Sequence, residues 1–460
     1  MTKTIQCISP IDGSIYAERT CLEPDAARAA VEKAKAAKRA WAARPLNERI
    51  GAVQKAVAYI GETQHRMVDQ LAHQMGRPVR YGGEFGGFEE RASYMASIAE
   101  EALAPIVVEA SSDFLRKIER EPQGVVLVVA PWNYPYMTAI NTVAPALIAG
   151  NCVVLKHASQ TILVGEHLAD AFSAAGLPDG VFTNMALDHD TTSMLISEGH
   201  FGMVNFTGSV GGGQAMERAA AGTFTAVSTE LGGKDPGYVR ADAYLDAAVD
   251  TLIDGAMFNS GQCCCGIERI YVHESLYDAF VEKAVAVVQG YVLGDPREET
   301  TTLGPMANKR FADEVRAQIA EAVKAGAKAH IKTMAADDGG IYLTPQILTD
   351  VDHTMRIMRD ETFGPAVGIM KVSSDEEAIE LMNDSVFGLT CSLWSNDTDA
   401  AETIGRRLET GTVFMNRCDY LDPALCWTGC KDTGRGAGLS VLGFHAVTRP
   451  KSYHLKKLKP

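Results

Sequence analysis

The sequence predicts a doubly wound α/β chain, made of two α/β units and a small β appendage. Three observations carry that prediction. Short runs rich in Val, Leu and Ile recur between stretches of helical composition, the alternation expected of parallel sheets whose strands are buried on both faces. Alkyl and aromatic residues make up 46% of the 460 and charged residues 22%, the balance of a globular chain long enough for more than one core. No repeat or low-complexity segment interrupts the pattern.

Residues 25–73 are dominated by Ala, Lys, Glu and Arg and read as two helices separated at Pro45-Leu46-Asn47. DFLRKIEREPQGVVLVVAP (113–131) holds two β-like runs split by EPQG, which reads as a long hairpin. GVVLVVA (124–130), NCVVLK (151–156), MVNFTG (203–208) and FTAVSTE (224–230) are strands in this reading, and TILVGEHLADAFSAAG (161–176) and VGGGQAMERAAAG (210–222) are helices. A second α/β unit follows Gly232, with YLDAAVDTLIDGAMFN as a helix and ERIYVH as the next strand. The 113–131 segment, together with the C-terminal tail, forms a third unit.

The formal net charge of −15 argues against nucleic acid as a partner, because phosphate binding needs a basic surface. The basic run from Arg449 to Lys459 reads as a solvated tail or edge segment. Pro122 to Leu155 carries no charge, but Pro131, Asn133, Pro135, Asn141, Pro145 and Asn151 break it into pieces too short to cross a bilayer. The ten cysteines include no CxxC pair, which predicts reduced thiols, no metal centre and, with no leader-like N-terminus, a cytoplasmic setting.

Four segments place a polar or reactive residue where a buried strand or helix ends, the usual ligand position in α/β sheets. In APWNYP (130–135), Asn133 fits an oxyanion donor or a capping Asn of a turn, and this segment alone favours the turn. In FTGSVGGG (206–213), Gly208, Gly211, Gly212 and Gly213 permit close approach of a pyrophosphate to a helix N-terminus, although glycine-rich turns are common. In STELGGKDP (228–236), Glu230 is either a general base with a raised pKa or a turn carboxylate paired with a Lys. In FNSGQCCCG (258–266), the outer two of three successive cysteines tend to point one way and the middle one the other. Cys264 is therefore the candidate nucleophile, provided Cys263 and Cys265 pack. No His lies in these segments, which disfavours a Cys–His hydrolase and leaves Glu230 as the base.

Taken together, PWNYP, LKHAS, FTGSVGGG, ELGGK, FNSGQCCCG, ETFGP (361–365) and GTVFMN…GCKDTGRG (411–436) resemble the aldehyde dehydrogenase superfamily in order and spacing over essentially the whole chain. The resemblance implies a Rossmann-like cofactor-binding domain (1–112 and 132–232), a catalytic domain (233–432) and bridging segments (113–131 and 445–460) that build a homodimer or homotetramer. It implies that Cys264 is the nucleophile and Glu230 the base for thioester hydrolysis, with Asn133 and the Cys264 N–H forming the oxyanion hole. Glu361 and Phe363 would hold the nicotinamide ribose and ring, and Lys156 the adenine ribose, with Ser159 standing in place of the glutamate that would hold the ribose hydroxyls. Gly208, Ser209, Gly213 and Trp132 would surround the pyrophosphate. Family members that pass the acyl group to coenzyme A typically lack the glutamate, so its presence implies transfer to water.

The chain departs from the family at two places: KHAS (156–159) stands for the frequent KPSE, and LCWTG (425–429) for PFGG. With no acid after the second strand, and with Lys156, Ser159 and possible charge on His157, NADP is expected to serve at least as well as NAD. By resemblance the substrate tunnel is lined by Tyr134, Met137, Asn141, Phe258, Cys263, Cys265, Leu421 and Trp427, none of them charged. Succinic-semialdehyde enzymes carry arginines at the places of Asn141 and Phe258, so a neutral aliphatic or aromatic aldehyde is expected. The alternatives are a semialdehyde dehydrogenase that holds its carboxylate elsewhere, a cysteine-dependent esterase, and a non-catalytic chain on the same fold.

Overall fold

A computed structural model describes residues 3–458; residues 1–2 and 459–460, the outer ends of the expected cofactor and bridging segments, lie outside the described residues. Its first large sheet has five parallel strands, in the order Phe182–Asn184, Cys152–Lys156, Val125–Val129, Met203–Thr207, Ala226–Glu230. Val125–Val129 is the central strand, where the chain reverses its direction of winding. All five of its residues are buried, and each apolar side chain taken from water there contributes about 1.5–3 kcal/mol. The helices Pro24–Ala42, Leu46–Glu62, Phe85–Ala102 and Pro135–Ile148 pack with this sheet into one continuous core.

The second large sheet has seven strands, ordered Lys328–Ala329, Gln346–Thr349, Ala366–Val372, Ile267–His273, Asp235–Val239, Thr390–Trp394, Thr412–Met415. Only the outer Lys328–Ala329 pairing is antiparallel. Its strands alternate between two cores: Tyr271 faces one, Ile270 and Val272 the other, as the two-residue period of a strand requires. A three-stranded antiparallel sheet joins Ile106–Ala110, Phe114–Pro122 and Thr448–Lys456, the last two paired along nine residues.

Two expectations change here. The EPQG hairpin does not form: Phe114–Pro122 pairs with Ile106–Ala110 and with the C-terminal strand, while Val125–Val129 enters the five-stranded sheet. The two runs differ in patterning. FLRKIEREP mixes charge with apolar residues and stays half-buried, whereas VVLVV is apolar at every position and suits only a strand covered on both faces. Residues 113–131 are therefore split between two sheets. The N-terminal region also contains three helices rather than two, because Thr63 turns out of helical geometry (φ −110°, ψ 17°) between Leu46–Glu62 and Gln64–Met75. The uncharged run 122–155 resolves into strand, helix and strand, and no described helix is long and apolar enough to cross a membrane.

Candidate active site

The cysteine loop follows the helix Leu245–Met257 through a short turn, Phe258–Gly261, in which Asn259 (φ 56°) and Ser260 (φ 55°) are left-handed. Asparagine visits that region more readily than most residues but serine does not, so the contacts around them hold the turn. Gln262 supplies several, its Nε2 donating to the Asn259 carbonyl (3.0 Å) and its Oε1 accepting from the Ala307 N–H (2.8 Å). Ser260 Oγ donates to the Gly304 carbonyl (2.8 Å). On this fixed loop Cys263 and Cys265 are buried and Cys264 is half-buried. The flanking thiols lie 3.6 Å apart, and both donate to Asp419 Oδ1, at 3.3 and 2.9 Å. A Cys264 thiolate would take the S–H of either neighbour in place of Asp419, and that hydrogen bonding holds the Cys264 pKa below the ordinary thiol range. The Cys264 backbone N–H makes no hydrogen bond among the described residues.

Glu230 ends the last strand of the five-stranded sheet and is 7% exposed. Its Oε2 accepts a long hydrogen bond from Thr207 (3.5 Å), and its buried Oε1 has no partner. Burial pushes its pKa up to about 7, against the opposing charge of Arg91. That is where a general base works best at neutral pH.

Asn133 is buried, and its Nδ2 donates to the Gln262 carbonyl at 3.3 Å, which leaves a second amide hydrogen beside the cysteine loop. Its position depends on a pair that the sequence reading did not single out. Arg77 donates to the Asn133 carbonyl (2.6 Å), to Asn259 Oδ1 (3.2 Å) and to Glu84 (2.7 Å), and Glu84 in turn accepts the N–H groups of Tyr136 and Met137 (both 2.9 Å) at the start of the helix Pro135–Ile148. A single buried ion pair thus ties the Asn133 loop to the cysteine loop. Sequence spacing gave no sign of it, since Arg77 and Glu84 sit in unremarkable helix-joining segments.

The expected cofactor residues line up along the carboxyl ends of the first sheet. Lys156 ends its strand 9% exposed, and its ammonium makes no hydrogen bond or ion pair with any described residue. Ser159 is exposed beside it. A nearly buried cation without a partner, next to a free hydroxyl, fits the hydroxyls or phosphate of a ribose. His157 contributes no charge: it is buried between the Pro135 carbonyl and Thr161, and its pKa falls to about 4. Ser209 caps the helix Val210–Ala220 by accepting the Gly212 N–H (3.3 Å). Several glycines of that turn answer to packing: a Cβ at Gly208 or Gly212 would strike the Phe206 ring (2.8 and 2.5 Å), and one at Gly213 would strike Leu231 (2.7 Å), while Gly211 alone faces open space.

Glu361 accepts the Gly233 N–H (3.2 Å) and folds so closely over Gly232 that a Cβ there would lie 2.1 Å from its Oε1; burial raises its pKa to about 8. A Cβ at Gly233 would lie 2.6 Å from the Cys264 carbonyl oxygen. The paired glycines of ELGGK therefore let the Glu361 and Cys264 segments meet. The buried Lys234–Glu268 pair (2.8 Å) holds the next stretch, with Glu268 accepting the Thr362 and Phe363 N–H groups (both 2.8 Å). Phe363 is left-handed (φ 48°) and sets its ring edge-on to Trp132 at 5.6 Å, and Trp132 stacks on Phe311.

Cys264 and Glu230 line one cavity of about 270 Å³. Tyr134, Met137, Phe258, Cys263, Cys265, Leu421 and Trp427 line it as expected. Asn141 does not: it lies behind the wall, its Oδ1 3.4 Å from Arg91 Nη1. The wall is not free of ionisable groups either, because Arg91, Glu90 and Asp419 contribute to it, and burial raises the Asp419 pKa well above the usual carboxylate range. Arg91 comes from the helix Phe85–Ala102, whose acidic and alanine-rich sequence resembles any solvated amphipathic helix, so its inward direction was not legible. Asp419 is itself left-handed (φ 53°) and follows the strand Thr412–Met415.

The sequence profile of the aldehyde dehydrogenase family matches residues 1–453. The chain belongs to that family. An aldehyde dehydrogenase of Paenarthrobacter nicotinovorans is 38% identical over 335 residues, 73% of each chain. A succinate-semialdehyde dehydrogenase (NADP(+)) of Mycolicibacterium paratuberculosis is 34% identical over 361 residues, 78% of this chain and 76% of that one. The crystal structure of an NAD-dependent aldehyde dehydrogenase from Sinorhizobium meliloti superposes with a TM-score of 0.95 at 32% identity, covering 100% of this chain and 92% of the other. The family fold therefore extends across both large sheets and the three-stranded one.

Proposed function

We propose that this protein oxidises an aldehyde to its carboxylic acid, with Cys264 as nucleophile, Glu230 as general base and NADP or NAD as hydride acceptor. The observation that carries the reading is that Cys264 and Glu230 face one cavity, where the thiol pKa is lowered and the carboxylate has an unspent buried oxygen. The Cys264 sulfur adds to the carbonyl carbon, and the oxygen that takes up charge is met by the Cys264 N–H and the Asn133 amide. A bound nicotinamide supplies the hydride acceptor that makes the resulting adduct a thioester. Glu230 then takes a proton from a water molecule, which attacks the thioester carbon; the acid leaves and the sulfur is restored. The apolar wall formed by Met137, Phe258, Leu421 and Trp427 receives the carbon chain, aliphatic or aromatic.

Lys156 and Ser159 support the use of either cofactor, since no carboxylate stands where a 2′-phosphate would be repelled, and the relatives named above include NADP and NAD enzymes. A homodimer or homotetramer is supported by the three-stranded sheet, whose outer strand leaves Ile106, Val107 and Val108 more than half exposed. Ten unpaired cysteines fit a reducing, cytoplasmic setting. The deciding experiment is an aldehyde panel with each cofactor, read as absorbance of reduced nicotinamide and as acid formed. Ester hydrolysis without any cofactor reduction would overturn the reading in favour of an esterase.

A further inference from the structure

The hydrogen-bonding capacity left unspent in the cavity is mostly on the donor side. Arg91 is 7% exposed and its Nε has no partner; the Tyr134 hydroxyl is buried and has none either. Arg91 is held in place by its other arm, with Nη1 donating to the Met137 carbonyl (3.1 Å) and to Asn141 Oδ1 (3.4 Å). No carboxylate lies within ion-pair distance of its guanidinium among the described residues, unlike the buried Arg77–Glu84 and Lys234–Glu268 pairs. Of the acidic side chains of the wall, Asp419 accepts two thiols and Glu90 accepts the Tyr420 hydroxyl (2.5 Å), while Glu230 keeps one oxygen free and attracts Arg91 only from beyond ion-pair distance. A guanidinium stays charged even when buried, and a buried charge with no counter-ion is costly. An anion arriving in the cavity would remove that cost.

We propose that Arg91, assisted by the Tyr134 hydroxyl, anchors a carboxylate at the far end of the substrate, so that the cavity selects aldehyde-acids. This rests on the reading of the cavity as the aldehyde site. Arg91 and Tyr134 donate to the two carboxylate oxygens while the aldehyde carbon lies against Cys264. Arg91, Tyr134 and Cys264 all line the same cavity of about 270 Å³, so the chain between the two ends of the substrate lies within it. The apolar wall then packs the methylene groups and contributes little to discrimination between substrates.

The test compares kcat/KM for 4-oxobutanoate, its methyl ester and butanal in the wild type, Arg91→Met and Arg91→Lys. Charge-assisted hydrogen bonds support a preference of about ten- to a hundredfold for the carboxylate. The ratio of 4-oxobutanoate to butanal should fall at least tenfold in Arg91→Met and be partly kept in Arg91→Lys. Binding of butanedioate to the wild type, followed by calorimetry without turnover, should disappear in Arg91→Met. Equal use of all three aldehydes by the wild type would overturn the proposal and leave the dehydrogenase reading standing; so would equal use of the acid and its ester. A change in the pH profile of every aldehyde with no change in the ratio would overturn it too, assigning Arg91 to the tuning of Glu230. Oxidation of no aldehyde at all would overturn both readings. Should Arg91→Met fail to fold, the wild-type ratio and the butanedioate titration decide alone.

Discussion

Replacing Glu230 with Gln should make the protein more stable while stopping its catalytic cycle half-way. In the folded state burial raises this carboxyl from an ordinary 4.5 to about 7. At about 1.4 kcal/mol per tenfold change, holding the ionised form in place costs about 3 kcal/mol. The sign follows from the folded pKa lying above the unfolded one. Below about pH 4.5 there is no penalty; it grows as pH rises towards 7 and is complete above that. Glu230→Gln removes the charge with little change of volume, so at pH 8 it should recover up to about 3 kcal/mol. For a chain of 460 residues, unfolding entropy of about 2.1 cal/mol/K per residue converts this to a Tm rise of about 3 °C. Calorimetric scans at pH 8 and pH 5 check it, with the variant above wild type at pH 8 and most of the difference gone at pH 5. Stopped-flow mixing should show a single-turnover burst of reduced cofactor followed by a stall, because the thioester forms and is not hydrolysed. Wild-type kcat should rise with pH to a plateau above about 7 if hydrolysis limits the rate. A variant that melts lower than wild type at pH 8 would refute the burial argument. Loss of the burst would refute the assignment to hydrolysis and point to Glu230 as the base that activates Cys264.

Cys264→Ala should abolish turnover with cofactor binding retained, whereas Cys263→Ala and Cys265→Ala should keep turnover, change KM through the Asp419 cluster and raise the pH at which activity sets in, each removing a thiol that lowers the Cys264 pKa; parallel kinetics over pH and a cofactor titration distinguish them. Glu84→Gln leaves Arg77 buried without its counter-ion and should cost about 3–5 kcal/mol, measured by urea unfolding. It should also lower kcat through the Asn133 carbonyl that Arg77 holds; the double variant with Arg77→Met should regain part of the stability without regaining kcat. Ser159→Glu should move the ratio of NADP to NAD kcat/KM towards NAD at least tenfold, since it places a carboxylate beside the Lys156 ammonium where a 2′-phosphate would lie; an unchanged ratio would remove that end of the site from cofactor choice.

The sequence by itself determined whatever depends on neighbours along the chain. Apolar runs such as VVLVV and CVVLK argued for buried parallel strands, and the residues after them for strand ends, which made Asn133 and Glu230 candidates by position; the role of Lys156 came from the family resemblance. The alternation of three cysteines singled out Cys264 for a similarly local reason, and both flanking thiols are indeed buried. The pairing partner of Phe114–Pro122 was not legible, because nothing in EPQG distinguishes a hairpin turn from a crossing between sheets; that was decided by which sheet could cover Val125–Val129 on both faces. The charges of the cavity were decided the same way. Arg91, Arg77 and Glu84 lie on or between helices of ordinary amphipathic composition, and Asp419 follows a strand far along the chain. Whether such a side chain meets water, a counter-ion or a substrate depends on helix rotation and on contacts between residues up to several hundred positions apart. Local propensity carries no term for those contacts, so only the tertiary structure fixes them.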